Sequence, residues 1–449
     1  MTQTLTATQH KKGYIKNSSL TLISLAAVFF PRVLISLRAP SLINFVHFAL
    51  VPLACFSTLS SARIKDRKQI AASKSILTGL FFMLIIVLAS ALINDAGIVN
   101  AILSFLLLTE PFIFLLALIS LPLSPENFTR FRAWIFRFAF ANIIFCYIQR
   151  YLFNRQTEAG LEDNINGVFI GGGAGHVVGA SISITFGVYY LFALKSKPLF
   201  IRVLVFLAIF NQIIISDTKQ VLLAVMAAYV LLQIVNLKDP VKSCLYLVVG
   251  SVFLVLFYWA IYNFEALSGF TTWIRPEIYG PDGEATKLKF AAFRIVSSYS
   301  NSPLNWLLGI GPGHTVGRLG GWMLESYKEL LLPLGATIHP ASQAVWQAVV
   351  DSWLGDQSSM FSPLFGWAGI WGDLGILGLG AYLYLSFLIW TNICSGNISR
   401  LLVLSAFVFG CILSQLEEPA YMMFLAAIVG LEWHEQRHKN FTKVVITRT

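Results

Sequence analysis

The amino-acid sequence predicts an all-α membrane protein that crosses the bilayer many times. Hydrophobic residues make up 56% of its 449 positions and charged residues 12%, a balance that a single soluble core of this length could not bury. The apolar residues are gathered into long runs, many of them near the length of about 20 residues that a membrane-spanning helix needs. The bilayer is therefore the expected solvent for most of the chain.

Twelve runs are long and apolar enough, or nearly so, to span a membrane. They lie at 19–37, 41–60, 76–93, 98–120, 133–152, 177–194, 199–215, 220–236, 243–263, 365–391, 401–416 and 419–433. The stretch between the ninth and the tenth is too long for a connector without structure of its own. We therefore expect spans one to nine in 1–263, a large outer loop with amphipathic helices at 264–363, spans ten to twelve in 364–433, and a cytoplasmic tail at 434–449.

The distribution of basic residues orients these spans. When both chain ends are placed in the cytoplasm, the inner segments contain 21 of the 32 lysine and arginine residues, although these segments are much shorter than the outer ones. Positive residues accumulate on the cytoplasmic side of membrane proteins. The sequence thus predicts cytoplasmic termini and a large loop that faces away from the cytoplasm.

Charge and cysteine content also exclude several classes of function. A net charge of +10 would suggest nucleic acid in a soluble protein, but these basic residues flank apolar runs, so we expect a lipid bilayer and no nucleic acid as partner. The five cysteines lie in or beside apolar runs and offer neither a disulfide framework nor a CxxC metal site. With no DxD-like cluster and no HExxH motif, we expect no metal and no cofactor.

Two basic residues on the predicted outer side are candidates for binding an anion. Lys219 follows the short turn Ser216-Asp217-Thr218, where a lysine either extends to the interface or neutralises something anionic. Arg294 precedes the turn Gly309-x-Gly311-x-Gly313, and such a turn lets the backbone approach a ligand closely. An interface anchor and a plain tight turn are the alternatives.

Two histidines of the outer loop, His314 and His339, are candidate general bases. An imidazole has a pKa near neutrality and can take a proton from a sugar hydroxyl. A purely structural hydrogen bond is the alternative for each.

Two stretches of the outer loop have the periodicity of amphipathic helices. ASQAVWQAVVDSWL places Gln343, Gln347 and Asp351 along one polar face, and WMLESYKELLLPL has a helical apolar stripe. We expect both to lie on the membrane surface, with plain amphipathic packing as their role.

Four stretches, in chain order, carry a family resemblance. They are the Asp163-x-x-x-Gly167 approach to a span, the Ser216-Asp217-Thr218-Lys219 turn, Arg294 ahead of LLGIGPG, and GDLGILGLGAYLYL at 372–385. Together they resemble the O-antigen polymerase and ligase family of bacterial surface polysaccharide assembly, over residues 160–420. The resemblance implies a many-spanned helical fold of the GT-C type in the bacterial inner membrane, with one large periplasmic loop.

The resemblance also implies roles for individual residues. In the family, a basic residue after the Ser/Thr turn and an arginine before the Gly-rich turn are thought to hold the pyrophosphate of a polyprenyl-linked glycan, and Lys219 and Arg294 match them. Arg275 and Arg318 are further candidates for that site. Asp373 stands where the family usually has a glutamate. Ligases have a His-Asn pair shortly before this position, and the absence of a histidine here favours a polymerase.

We therefore expect a polysaccharide polymerase, a glycosyltransferase of O-antigen or exopolysaccharide synthesis. It would move a polyprenyl-pyrophosphate-linked oligosaccharide onto a lipid-linked repeat unit without a metal, with His339, His314 and Asp373 as catalytic candidates and a chain-length regulator as a protein partner. One alternative is a ligase that transfers the glycan to lipid A core or to a protein. The other is a flippase without chemistry, for which charged spans and short outer loops would be expected.

Overall fold

Every regular element that the structure describes is a helix. The structure is a computed structural model, and it describes residues 15–61, 66–155, 164–171, 174–236, 240–264, 271, 276–354, 366–412 and 414–446. Within these residues the predicted all-α class is confirmed.

The first part of the chain forms ten α-helices. They are α1 (Asn17–Phe29), α2 (Pro31–Ser36), α3 (His47–Ser61), α4 (Arg67–Ile93), α5 (Ile98–Ser120), α6 (Pro125–Tyr147), α7 (Gly175–Phe192), α8 (Leu199–Ile215), α9 (Lys219–Val235) and α10 (Pro240–Asn263). A 3-10 helix, Ser41–Phe45, precedes α3, and a π-helical turn, Ile148–Leu152, follows α6. The predicted first span is divided at Pro31, which takes the first position of α2, because proline lacks the N–H that a continuous helix would need.

The rest of the chain forms shorter helices in the outer loop and then three long ones. The loop contains α11 (Pro276–Tyr279), α12 (Glu284–Ser298), α13 (Pro303–Leu308), α14 (Leu324–Ser326), α15 (Lys328–Leu331) and α16 (Pro340–Val350). The long helices are α17 (Gly366–Asn392), α18 (Asn397–Ile412) and α19 (Pro419–Ile446).

Within the described residues, each of the twelve predicted runs falls largely on a helix, and six helical segments are long and apolar enough to cross a membrane. These six are Ser41–Ser61, Arg67–Ile93, Ile98–Ser120, Pro125–Leu152, Gly175–Phe192 and Gly366–Asn392. Five shorter apolar helices accompany them: Asn17–Phe29, Leu199–Ile215, Lys219–Val235, Val248–Asn263 and Asn397–Cys411. These features are those of a helical membrane protein, whereas the count of twelve spans stays a prediction.

Two helices, α5 and α7, form the centre of the bundle. In their apolar windows 83% and 89% of the residues are buried, against 28–39% in the other four candidate spans. α5 packs against α3, α4 and α19, and α7 packs against α8 and α19. Peripheral helices expose large apolar side chains such as Phe81 and Leu204, as expected where lipid replaces water.

Polar contacts join segments that the charge distribution assigns to the cytoplasm. Arg132 lies 2.7 Å from Glu435, and Arg437 lies 3.1 Å from Asp66, measured between guanidinium nitrogen and carboxylate oxygen. Both pairs involve α19, which continues to residue 446 instead of ending near 433. Most of the predicted tail is therefore helical, because its polar side chains find partners beside α4 and on α6.

The outer loop contains one of its two predicted amphipathic helices as a single element. In α16 and directly after it, Gln343, Gln347 and Asp351 are exposed, and the Gln347 amide donates to Asp351 over 2.8 Å. The WMLESYKELLLPL stretch is instead divided into the π-helix Leu319–Met323, α14, α15 and the 3-10 turn Leu332–Leu334. The break lies at Tyr327, whose φ of −122° and ψ of 25° are outside the helical range, and Pro333 stands only in the last 3-10 turn.

Cysteine labelling tests the predicted orientation. In a variant without the native cysteines, Lys328→Cys on the outer loop is expected to react with a membrane-impermeant maleimide in intact spheroplasts. Lys195→Cys, between α7 and α8, is expected to react only after lysis. Both lysines are exposed, so accessibility to the reagent depends on the side of the membrane. Labelling of Lys195→Cys alone in intact spheroplasts would contradict the orientation.

Candidate functional site

Two kinks in the backbone, each at a glycine, pack against each other where the end of α13 meets α17. Gly309 ends α13 with φ +75° and Gly375 breaks α17 with φ +65°, both in the left-handed region that favours glycine. A Cβ atom at Gly309 would overlap the backbone of Asp373, and one at Gly375 would overlap the backbone of Leu307. The Gly311 N–H also donates to the Asp373 carbonyl over 3.2 Å. The structure thus brings together two of the motifs that the sequence analysis singled out.

The Asp373 carboxylate holds the Gly-rich turn in place. It accepts the Gly313 N–H at 2.7 Å, the Thr315 N–H at 2.9 Å and the Thr315 hydroxyl at 2.6 Å. The Ser90 hydroxyl of α4 donates to the Asp373 carbonyl at 2.9 Å, and Asp373 is only 6% exposed. Because its oxygens are occupied by these donors, the geometry favours a positioning role for Asp373 over proton transfer.

A second buried carboxylate holds the other end of the same segment. Glu417 lies in the 3-10 helix Gln415–Glu417 between α18 and α19, and it accepts the Arg318 N–H over 2.6 Å. Burial, and to a smaller extent the nearby Asp373 carboxylate, raise the pKa of Glu417 to about 8, although the hydrogen bond from the Arg318 N–H acts to lower it. We call Asp373 and Glu417 the carboxylate clamp. Together they fix the backbone from residue 313 to residue 318.

A cavity of about 400 Å³ lies beside the carboxylate clamp, within the range of about 300–1,000 Å³ typical of small-ligand sites. Its walls come from the junction of α1 and α2, the 3-10 helix before α3 with the start of α3, Leu107 of α5, the start of α7, the π-helix of the outer loop, α16, and the turn between α18 and α19. The charge distribution assigns every one of these segments except Leu107 to the outer end of a span or to the outer loop.

Two arginines, Arg32 and Arg318, lie against one tryptophan in the wall of this cavity, which we call the arginine cavity. The guanidinium carbons of Arg32 and Arg318 are 5.3 Å and 5.1 Å from the ring centroid of Trp322, a geometry in which the aromatic face attracts each cation. Arg318 also pairs with Glu418. Arg32 makes no ion pair and no side-chain hydrogen bond with any residue that the structure describes. A guanidinium remains charged in proteins, so Arg32 brings a positive charge to the cavity wall.

A buried histidine and glutamate lie at the same cavity. Nδ1 of His47 is 2.8 Å and 2.9 Å from the two carboxylate oxygens of Glu110. Glu110, in the middle of α5, is fully buried, and His47, at the start of α3, is 6% exposed and lines the cavity. In the described part of the chain no group forms a hydrogen bond with His47 Nε2. The pair therefore presents one ring nitrogen to the cavity.

The two histidines that the sequence nominated as bases stack on each other, with ring centroids 4.9 Å apart. His314 donates from Nδ1 to the Ile310 carbonyl at 2.8 Å and accepts the Thr337 hydroxyl at Nε2 at 2.9 Å, and burial lowers its pKa to about 4. His339 accepts the Ala341 N–H at Nδ1 and caps α16, and burial lowers its pKa. Both nitrogens of His314 are thus occupied, whereas His339 keeps Nε2.

The predicted pyrophosphate-binding residues do not all lie at the arginine cavity. Arg318 lines the arginine cavity, whereas Lys219 and Arg294 do not. Lys219 begins α9 and lies 2.7 Å from Asp217. Arg294 is exposed on α12, and among the described residues it has no ion pair or hydrogen bond. Arg275 lies outside the described residues. The roles of Lys219, Arg294 and Arg275 stay predictions.

Three residues of the cavity were not recognised from the sequence. In the sequence, Arg32 is one of several basic residues on the predicted outer side, and Glu110 is an acid inside a predicted span. His47 is a single histidine at the start of an apolar run, where nothing local points to a carboxylate partner 63 positions later. The one signal in the sequence that could have led to this pair was Glu110, because an ionisable residue deep in a span is a candidate functional residue and needs a partner.

No protein-family model matches the chain, and no curated protein matches it either. The geometry of the cavity is therefore the basis on which function is argued below.

Replacing Asp373 with asparagine tests its positioning role. The amide keeps one acceptor oxygen and turns its NH2 group toward the donor of Gly313 or the donors of Thr315, so we expect the free energy of unfolding to fall by about 1–3 kcal/mol, measured as a lower thermal midpoint in detergent. Asp351→Asn on the exposed end of α16 is the matched control and should change little. A wild-type midpoint together with loss of transfer would instead make Asp373 a catalytic residue.

The raised pKa of Glu417 predicts a pH dependence of stability. The folded chain keeps this proton to about pH 8, whereas the unfolded chain loses it near the ordinary value of 4.5. The unfolded state therefore binds fewer protons in that window, and the contribution of Glu417 to stability falls as the pH rises through it. Glu417→Gln should remove this part of the slope, so that its thermal midpoint, relative to wild type, is higher at pH 8 than at pH 6. An equal difference at both pH values would contradict the assignment.

Proposed function

We propose that this chain is a polysaccharide polymerase of the bacterial inner membrane. It transfers a growing glycan from a polyprenyl-pyrophosphate carrier onto the sugar end of a fresh lipid-linked repeat unit. The proposal includes twelve spans in a GT-C-like arrangement, cytoplasmic termini and an active site on the periplasmic face.

The observation that carries the proposal is the unpaired arginine of the cavity. A half-buried guanidinium without a carboxylate partner is costly, because desolvation is not offset by an opposite charge. Arg32 has no ion-pair partner among the described residues, and Arg318 lies against the same tryptophan ring. An anionic ligand between the two guanidinium groups would relieve their repulsion and satisfy donors that the protein leaves unused. Pyrophosphate has the negative charge, and its phosphate groups offer the pairs of oxygen atoms that a planar guanidinium binds in a bidentate way.

The same two arginines suit the chemistry of transfer from a pyrophosphate carrier. When the bond between sugar and pyrophosphate breaks, negative charge develops on the leaving oxygen, and fixed positive groups around that oxygen lower the barrier. Arg318 is held for this task at both ends. Its backbone N–H binds Glu417 and its guanidinium pairs with Glu418. This proposal assigns charge neutralisation to guanidinium groups and keeps the expected metal-independent mechanism.

The position of the cavity supports an outward-facing active site. The walls, apart from Leu107, belong to segments that the charge distribution assigns to the outer side. The ion pairs of Arg132 and Arg437 lie in segments that it assigns to the cytoplasmic side, at the opposite ends of the helices. A carrier lipid in the outer leaflet would place its headgroup at the level of this cavity. Lys219 and Arg294, outside the cavity, are proposed as second contacts for the carrier or the acceptor.

Arg32→Ala is the most direct test of the leaving-group site. The protein would be reconstituted in liposomes with lipid-linked repeat units extracted from cells that lack it, and polymer would be analysed on gels. We expect polymer formation to fall by about 100-fold or more, the usual cost of removing one group that stabilises developing charge. Arg32→Lys, which keeps the charge without the planar fork, should retain part of the activity.

The control for Arg32→Ala is Lys287→Ala, which removes an exposed positive charge from α12 and should leave the polymer unchanged. Arg294→Ala in the same assay decides the role that the family resemblance gives to that residue, and near-normal chain length would remove it from the mechanism. A ladder of lengths supports the polymerase, a single shift supports a ligase, and translocation without product supports a flippase. Full activity of Arg32→Ala would overturn the proposed site.

A further inference from the structure

The His47 and Glu110 pair has the geometry of an oriented base. A carboxylate that binds one imidazole nitrogen fixes the ring and its tautomer, and leaves the other nitrogen to exchange a proton with a substrate. Both Glu110 oxygens lie within 2.9 Å of Nδ1. The ring also contacts Phe48, with ring centroids 4.1 Å apart. The imidazole of His47 is thus held from the carboxylate side and from one face, with Nε2 left for the cavity.

Neutralisation of the buried Glu110 does not by itself explain why its partner is a histidine that lines the cavity. A fully buried glutamate inside a span requires a partner, and any donor would satisfy that need. Here the partner is a histidine, whose second ring nitrogen is not needed for the contact with Glu110, and it lines the same cavity as the two arginines of the proposed leaving-group site. By contrast, His314 uses both ring nitrogens within the loop and His339 caps a helix.

We infer that His47 is the general base that deprotonates the acceptor sugar hydroxyl and that Glu110 is its positioning residue. This inference rests on the proposed function and deepens it, because it names a reacting group that the family resemblance does not suggest. It also places the acceptor sugar in the arginine cavity, on the side of α3 and α5.

The step balances without a further reactant. The acceptor oxygen forms a bond to the anomeric carbon of the donor sugar while its proton passes to His47 Nε2. The bond between that carbon and the pyrophosphate oxygen breaks, and the electron pair leaves with the polyprenyl pyrophosphate. Arg32 and Arg318 neutralise the leaving group. Glu110 stabilises the imidazolium that forms, and release of its proton to water restores the neutral ring.

Variants of His47 test the base in the reconstituted full-length protein. His47→Gln should reduce transfer by about 100-fold or more, while binding of undecaprenyl pyrophosphate, measured separately in detergent micelles, stays within twofold of wild type. His47→Ala should lose transfer in the same way and regain part of it when imidazole is added, which a purely structural role would not produce. His434→Gln is the matched control, because His434 is also buried and bonds only the Leu118 carbonyl over 2.9 Å; its transfer should stay at the wild-type level.

Glu110→Gln tests the positioning role. It should lower kcat with little change in KM, because the amide can still contact Nδ1 but no longer stabilises the imidazolium. Near-normal transfer by His47→Gln would overturn the inference, and so would loss of transfer together with loss of undecaprenyl pyrophosphate binding and no rescue by imidazole. A different result would show that the proposed function fails while leaving the His47 test separate. In that case the Arg32→Ala variant would bind undecaprenyl pyrophosphate as tightly as the wild type.

Discussion

The geometry of the candidate site depends on two buried carboxylates that accept backbone N–H groups from one short segment. Asp373 binds the N–H groups of Gly313 and Thr315, and Glu417 binds that of Arg318. A loop at the membrane surface has few backbone partners of its own, and each buried N–H without an acceptor is costly. The carboxylates satisfy these donors and fix the direction in which the Arg318 side chain leaves the chain.

This constraint explains why the glycines stand where they do. The clamp works only if the turn reaches the backbone of α17, and the approach at Gly309 and Gly375 leaves no room for a Cβ atom. With the turn in this position, Trp322 lies next to both Arg318 and Arg32, although Arg32 comes from the first part of the chain. Four distant parts of the sequence then form one cavity with two guanidinium groups and one imidazole.

Hydropathy correctly predicted the all-α class of the described residues, the number of spans and their orientation stay predictions, and the site was predicted only in part. Within the described residues the twelve apolar runs fall largely on helices, because burial in lipid demands long apolar segments that are visible in the sequence itself. The family resemblance singled out LLGIGPG and the stretch around Asp373, but the contact between them was not predicted. Arg318 was nominated, but Arg32 and His47 were not, because their significance comes from packing α1, α3 and α5 against the outer loop. The predicted single helix at 322–334 was wrong, because the backbone leaves the helical range at Tyr327, between α14 and α15.

A structure determined with bound undecaprenyl pyrophosphate is the most direct measurement of the central claim. The account predicts both phosphate groups in the arginine cavity, within hydrogen-bond distance of the Arg32 and Arg318 guanidinium groups and beside Trp322. Phosphate groups bound at Lys219 or Arg294, with the arginine cavity left without ligand, would contradict it.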